Sequence, residues 1–149
     1  MKLENMLIPA RVATGSWSIR EVFDECARHC LPGLAFQDES GKVIGKVSLR
    51  DVLKNTCLPD YIVANVHLVG DHLANISIPE IKALHILELP ARDFVLNDFA
   101  RIDSAAPVIK AVATMEHYQT AYIFVIDDGL YRGVVTLVSI VKRMLELHP

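Results

Sequence analysis

Two seven-residue stretches of this chain carry hydroxyl and carboxyl side chains at matching positions. They are residues 45–51 (GKVSLRD) and residues 133–139 (GVVTLVS), which begin 88 residues apart. In each, a glycine is followed three positions later by a hydroxyl residue and then by leucine. An Asp or a Ser stands three positions after the hydroxyl residue. A repeat of this kind indicates two related structural units, and therefore two related sites.

The chemistry that these side chains could perform is hydrogen bonding to a polar ligand. Each stretch is predicted to lie where a strand becomes a helix, and a helix start offers free backbone N–H groups to a phosphate. Ser48 could donate its hydroxyl to that phosphate, Arg50 is the nearest cation, and Asp51 could accept both vicinal hydroxyls of a ribose. In the second stretch, Thr136 stands in the place of Ser48 and Ser139 in that of Asp51.

The same spacing also has a purely structural interpretation. A hydroxyl residue followed three positions later by an acid forms a helix capping box without any ligand. Both interpretations stay open for Ser48 and Asp51. Because Ser139 carries no charge, the first site is expected to bind a ligand more tightly than the second.

The elements that position these residues follow from the repeat, which extends beyond the two stretches. At the same offset, His29 matches His117 and Phe36 matches Phe124. Each unit is predicted to be strand, helix, strand, strand, helix, and Ser18 with Glu21 forms a capping box for the first helix. The predicted helices cover residues 18–30, 49–55, 108–115 and 139–147. The predicted strands cover residues 34–37, 43–47, 122–126 and 131–135. The strand that opens each unit is predicted near Val12 in the first unit and near Phe99 in the second.

The connection between the units, residues 56–90, is predicted to be helical. Tyr61 to Val69 is strongly apolar, and Ser77 with Glu80 forms another capping box, which predicts a helix through about His85. We expect residues 1–149 to form one module, with repeats over 3–55 and 91–147.

Composition sets broad limits on the class of protein. Two repeats of about 50 residues would each be marginal alone, so the 149-residue chain, 52% hydrophobic, is expected to share one core. The net charge of −3 argues against a nucleic-acid partner. Without an 18-residue apolar run, a membrane partner is not expected. An acid near the start argues against a signal peptide, and three cysteines fit a reducing cytoplasm.

The two stretches and their context resemble a tandem pair of CBS domains, known as a Bateman module. Residues 28–53 (RHCLPGLAFQDESGKVIGKVSLRDVL) follow the family pattern almost position by position, and Met6 with Pro9 is similar to the segment that opens such a domain. The resemblance covers about residues 3–55 and 91–147. It implies an α/β (α+β) fold of two β-α-β-β-α repeats packed with pseudo-two-fold symmetry.

The resemblance also implies a function. Paired CBS domains regulate other proteins, and many bind AMP, ADP, ATP or S-adenosylmethionine in clefts between the repeats. The hydroxyl and Asp of the family phrase hold phosphate and ribose, which carries over to Ser48, Asp51 and Thr136. Some members have a His-Arg pair before the strand core, where this chain has Pro32-Gly33 and Thr120-Ala121, so AMP or an uncharged adenosine group is favoured over ATP. No cofactor is required, and a homodimer acting on an unknown regulated protein is expected.

Three alternatives remain. One is an interaction or dimerisation module whose clefts stay empty. Another is an enzyme, for which no catalytic constellation stands out. The last is a zinc site at Cys26, His29 and Cys30. It is disfavoured because only three ligands are visible and both cysteines lie on the apolar stripe of the helix.

Overall fold

The computed structural model describes residues 1–68, 70 and 80–148, which form two repeated units joined by a helical connection. The first unit contains α1 (Ile19–His29), β1 (Gly33–Gln37), β2 (Val43–Ser48) and α2 (Leu49–Cys57). The connection contains α3 (Asp60–Ala64) and α4 (Glu80–Leu87). The second unit contains β3 (Arg101–Ile102), α5 (Val108–His117), β4 (Tyr122–Asp127), β5 (Leu130–Thr136) and α6 (Leu137–Leu145). Short 3-10 helices precede the units at Leu3–Met6 and Ala91–Phe94.

Each unit is built on an antiparallel hairpin, β1–β2 in the first and β4–β5 in the second. The strand predicted to open each unit is short. In the second unit β3 runs parallel to β4, with Arg101 opposite Phe124. In the first unit it is a single bridge between Ala13 and Phe36, which is the same pair 88 residues earlier. The α/β fold with two β-α-β-β-α repeats is thus confirmed.

The segment that precedes each unit pairs with a strand of the other unit. Ile8 exchanges backbone hydrogen bonds with Val134 of β5, at 2.7 and 3.1 Å between N and O. Leu96 exchanges two bonds of 2.9 Å with Lys46 of β2. These pairs are again 88 residues apart, so the exchange is reciprocal. We call residues 7–10 and 95–98 the crossing segments.

The crossing segments explain the glycine that opens each repeated stretch. A Cβ on Gly45 would lie 2.5 Å from the carbonyl oxygen of Leu96, and a Cβ on Gly133 would lie 3.2 Å from that of Ile8. The backbone of the other unit passes so close to position 45 that no side chain larger than that of glycine fits there. The glycines are therefore part of the packing between units.

The two units share one hydrophobic interior through β4. Side chains alternate along this strand. Phe124 and its neighbours two positions away contact the core of the first unit. Ile123 and Val125 pack with Met115 of α5 and Ile140 of α6. All of these side chains are buried, so separating the units would uncover the Phe124 face of β4, whereas α5 and α6 would still cover the Ile123 face.

The helix ends show where the sequence-based boundaries needed correction. The capping box at Ser18 and Glu21 forms as predicted. However, α1 ends at His29, because Cys30 adopts a left-handed conformation with φ 54°. The last helix begins at Leu137, two residues before the predicted start, because Thr136 is its N-cap.

The connection packs on the first unit. Ile86 of α4 is buried, and the backbone N–H of Ile19 donates to the carbonyl of Leu89 at 2.9 Å. The helix predicted through about His85 is present as α4, whereas Ser77 of its predicted capping box lies outside the described residues. No helix in the described ranges is both long enough and apolar enough to cross a membrane.

Candidate functional site

The first site lies at the start of α2, where Ser48 is the N-cap residue. Its Oγ accepts the backbone N–H of Asp51 at 3.3 Å. The Asp51 carboxylate takes a different partner, since its Oδ1 accepts from Nδ2 of Asn55 at 2.9 Å. Its Oδ2 has no partner within the part of the chain that the structure describes. Arg50 is exposed beside it. Only half of a capping box is formed, and one carboxylate oxygen stays available to a ligand.

The second site, at the start of α6, is a complete capping box. The Oγ1 of Thr136 accepts the backbone N–H of Ser139 at 2.9 Å. The Oγ of Ser139 accepts the N–H of Thr136 at 2.9 Å and donates to the Thr136 carbonyl at 3.0 Å. The Ser139 hydroxyl is therefore occupied by the helix cap. The hydroxyl hydrogen of Thr136 remains available as a donor, although the residue is buried.

A cavity of about 260 Å³ opens beside the second site, and we call it the second cleft. Its walls come from both units: the crossing segment, the end of α1, the start of β4 and the first turns of α6. The lining residues are Ile8, His29, Cys30, Pro32, Ala121, Thr136, Val138, Ser139 and Lys142. The structure thus brings the predicted Thr136 and Ser139 together with residues 100 or more positions away in sequence.

The related space in the other half is smaller. This first cleft has a volume of about 120 Å³ and is lined by Lys46, Asp98, Ala100, Tyr118, Thr120, Tyr122 and Phe124. Tyr118 stands where the second cleft has Cys30, and the ammonium of Lys46 lies 5.8 Å from the ring centroid of Tyr122. These larger side chains narrow the cleft. Ser48, Arg50 and Asp51 are not among its lining residues; they lie at the start of α2.

A buried carboxylate supports the wall of the second cleft. Glu25 of α1 is only 2% exposed. Its Oε2 accepts the backbone N–H of Arg11 at 2.7 Å and lies 3.2 Å from Nε2 of His29, while its Oε1 lies 3.4 Å from Nε of Arg11. Burial raises the pKa of the Glu25 carboxyl, but the hydrogen bonds and charge of Arg11 outweigh it and hold that pKa below its ordinary value.

Sequence reasoning missed this carboxylate. The spacing of Glu25 and His29, four positions apart on one helix, was a usable signal. The contribution of Arg11 was not, because it depends on how the segment before α1 folds back. The guanidinium of Arg11 also lies 4.7 Å from the centroid of the Trp17 ring, a cation–π contact that fixes its position.

The alternative zinc ligands do not converge. Cys26 is buried in the core, and burial raises the pKa of its thiol to about 12, which disfavours the thiolate that binds zinc. Cys30 and His29 instead line the second cleft.

Comparisons with known proteins agree with the repeat. A family model of the CBS domain matches residues 6–56 and 91–146. A CBS domain-containing protein of unknown function from Kribbella flavida is 18% identical, with a TM-score of 0.65 over 99% of this chain and 100% of that chain. The CBS domain of a CBS domain-containing membrane protein from Sphaerobacter thermophilus is 19% identical, with a TM-score of 0.67 over 95% and 86%. A CBS domain pair/ACT domain protein from Thermotoga maritima is 17% identical, with a TM-score of 0.61 over 98% of each chain. No curated protein matches the chain.

Proposed function

This chain belongs to the CBS domain family, whose members are generally regulatory rather than catalytic, and on that premise we propose that it is a sensor of an adenosine-containing ligand. The ligand binds in a cleft between the two repeats, and its binding is transmitted to a partner protein. AMP is the favoured ligand, with ADP, ATP and S-adenosylmethionine as the compounds to compare with it.

The observation that carries this proposal is that the second cleft is built from both repeats. Its floor is the start of α6 in the second unit, and its opposite wall is the end of α1 with Ile8 of the crossing segment. A ligand held there contacts both halves of the molecule at once. Its binding energy can therefore change how the halves sit against each other, which is what a regulatory module must do.

The chemistry of the sites suits an adenosine compound. Ile8, Pro32, Ala121 and Val138 give the second cleft an apolar surface, and binding pockets typically combine such surface with a few placed polar groups. At the separate first site, which lines neither cleft, the free oxygen of Asp51 is suited to a ribose hydroxyl of a second ligand.

The test is to identify what the purified protein retains. Mass spectrometry of the denatured protein should release a nucleotide, and a thermal-shift screen with the four compounds should show stabilisation. A ligand at 100 times its Kd adds about 2.7 kcal/mol, or roughly 5–10 °C in Tm for a domain of this size. No released nucleotide and no shift at millimolar concentrations would contradict the proposal.

A second candidate is an interaction module whose clefts stay empty. It is favoured by one face of α6, where Val138, Val141 and Leu145 are 62%, 52% and 80% exposed. At about 100° per residue these side chains share one side of the helix. Such an apolar face suits a second copy of this chain, and we propose a homodimer. The thermal-shift screen separates the candidates, since dimerisation alone gives no dependence on adenosine compounds.

A further inference from the structure

A third cavity lies where the turns of the two hairpins meet, and we call it the turn cavity. It is at the opposite end of each hairpin from the helix starts at Ser48 and Thr136. Its volume is about 560 Å³, larger than that of either cleft, and it shares no lining residue with them. The two turns are joined here, because the backbone N–H of Val43 donates to the carbonyl of Gly129 at 3.0 Å.

Three cations from three different elements line the turn cavity. They are Lys42 of the β1–β2 turn, Arg101 of β3 and Lys110 of α5. All three are exposed, and none of them forms an ion pair within the described ranges. The cavity therefore presents positive charge that no carboxylate of the described chain neutralises by contact.

The fold holds two of these cations in place. The stem of Lys42 crosses Gly129, where an added Cβ would lie 3.2 Å from Cγ of the lysine. Gly129 has a φ of 81°, which glycine adopts without strain, so the turn leaves this space to the lysine. The guanidinium of Arg101 lies 5.8 Å from the centroid of the Phe99 ring, a cation–π contact. Charge is thus brought to the cavity from both units.

Two carboxylates, those of Asp103 and Asp128, also line the turn cavity. Neither has a hydrogen-bond or ion-pair partner for its side chain in the part of the chain that the structure describes. The neighbouring Asp127 differs, because its carboxylate accepts from the backbone N–H and the hydroxyl of Ser104 at 2.9 and 2.6 Å and pairs with Arg132 at 3.1 Å. The fold satisfies one carboxylate of this region internally and leaves two on the cavity wall.

The first unit lacks these charges at the related positions, although it has the same elements. The residues there are Ala13 in the place of Arg101, Ser40 in the place of Asp128, and Glu21 in the place of Lys110 as the third residue of its helix. The repeat therefore folds without this set of charges, which favours a role for them in binding.

The charge pattern indicates the class of ligand. Three positive and two negative side chains leave the cavity with a net charge of +1. Three cations suit two carboxylate groups, and a guanidinium can bind one of them through two parallel N–H···O bonds. The two aspartates would repel a ligand that is only anionic, whereas they attract an ammonium group. Ile102 and Ile126, both buried, supply apolar surface for a short hydrocarbon chain.

We propose that the turn cavity binds an acidic amino acid, which is a small dicarboxylate with one ammonium group and a net charge opposite to that of the cavity. This inference does not depend on the adenosine proposal, because the turn cavity is separate from both clefts. Lys42 belongs to the first unit and the other charged residues to the second, so this ligand also contacts both units. The module would then respond to two different compounds.

The test uses L-glutamate, L-aspartate and glutarate as probes on isotope-labelled full-length protein, with chloride at matched ionic strength as the blank. Glutarate has both carboxylates of glutamate but no ammonium group. Glutamate or aspartate should shift the backbone NMR signals of residues 101–103 and 126–129 in a saturable way. Glutarate should bind about tenfold more weakly than glutamate, which corresponds to about 1.4 kcal/mol.

Three variants test the charges separately. Lys110→Met should weaken glutamate binding about tenfold, whereas the matched control Lys54→Met, which removes an exposed lysine of α2 outside the cavity, should leave it unchanged. Asp128→Asn should weaken the binding of glutamate but not that of glutarate. Asparagine keeps the shape of the side chain and tolerates the left-handed backbone at this position, where φ is 52°, so the turn should stay folded.

Three results would overturn the inference. The first is the absence of saturable shifts with both amino acids at low millimolar concentration. The second is equal affinity for glutamate and glutarate, since the aspartates would then recognise no ammonium group. The third is an equal loss of glutamate binding in the Lys110→Met and Lys54→Met variants, which would reflect general charge. If glutamate binds the turn cavity while no adenosine compound stabilises the protein, the adenosine-sensor proposal fails and the amino-acid site stands.

Discussion

Substituting Asp51, the third residue of α2, and Ser139, the third residue of α6, should show whether each residue binds a ligand or caps its helix. Asp51→Ala removes a carboxylate that could bond two ribose hydroxyls, and hydrogen bonds to charged groups contribute about 1.5–3 kcal/mol each. Adenosine affinity should therefore fall tenfold or more. The cap itself survives, because Ser48 accepts the backbone N–H of residue 51, which alanine retains. The stability cost should be only about 0.3–1 kcal/mol, from the lost charge in the first helical turn.

Ser139→Ala should do the opposite. It removes the hydroxyl that both accepts from and donates to the backbone of Thr136. Breaking such a cap costs about 0.5–2 kcal/mol. For a chain of this size, each kcal/mol corresponds to roughly 2–4 °C in Tm. Because this hydroxyl already donates its hydrogen to the Thr136 carbonyl, it has no donor left for a ligand, and adenosine binding should stay close to that of the parent protein.

The assay is calorimetric titration with adenosine, which lacks the phosphate and so reports ribose recognition alone, combined with thermal unfolding of the two variants. The expected pattern is a binding defect with little loss of stability in Asp51→Ala and a stability defect without loss of binding in Ser139→Ala. If Asp51→Ala binds adenosine like the parent and loses as much stability as Ser139→Ala, then Ser48 and Asp51 only cap a helix. The case for a nucleotide at the first site would then fail.

Three further predictions concern the fold, its response to pH and its assembly. Gly45→Ala should lower the free energy of unfolding by about 1–3 kcal/mol through overpacking, because the new Cβ lies 2.5 Å from the Leu96 carbonyl oxygen. Gly15→Ala is the near-neutral control, since a Cβ there has nothing within 4 Å. Equal Tm values for the two variants would contradict the close passage of the crossing segment over Gly45. Because the pKa of Glu25 is lowered in the folded protein, the pairing of its carboxylate with Arg11 stabilises the fold at pH values above the ordinary pKa of 4.5. This stabilisation is lost as the pH falls below 4.5 and through the lowered pKa. The acid side of a stability–pH curve should therefore be flatter in Glu25→Gln, and an unchanged slope would show that the contact with Arg11 contributes nothing. Light scattering should give twice 16.6 kDa for the homodimer, whereas the monomer mass at all micromolar concentrations would exclude it.

Much of the architecture was predictable because its signals are local and appear twice. The capping box at Ser18, the two hairpins and the repeated stretches each depend on residues a few positions apart, and the structure contains all of them. The strand before α1 was predicted only by its position near Val12, without bounds. Its single bridge at Ala13 depends on how far the neighbouring chain lies from Phe36, which no local pattern records.

The candidate site was predictable only in part. The hydroxyl residues were found because they stand at fixed spacing from a glycine, but the opposite wall of each cleft comes from the other repeat. His29 and Cys30 reach the second cleft only through the packing of α1 against the second unit. Whether the Ser139 hydroxyl is free or hydrogen-bonded to the backbone of Thr136 depends on one side-chain rotamer, which the residue type does not determine.

The reciprocal crossing of the two opening segments means that neither unit possesses all of its own sheet. Each completes the other, as the two subunits of a strand-exchanged dimer do, although here both are carried by one polypeptide. The connection holds the halves at high effective concentration, in addition to packing Ile86 of α4 in the core of the first unit. A chain cut between the units should reassemble from its two fragments when they are produced together, whereas either fragment alone should expose the hairpin face that the other unit covers, and aggregate.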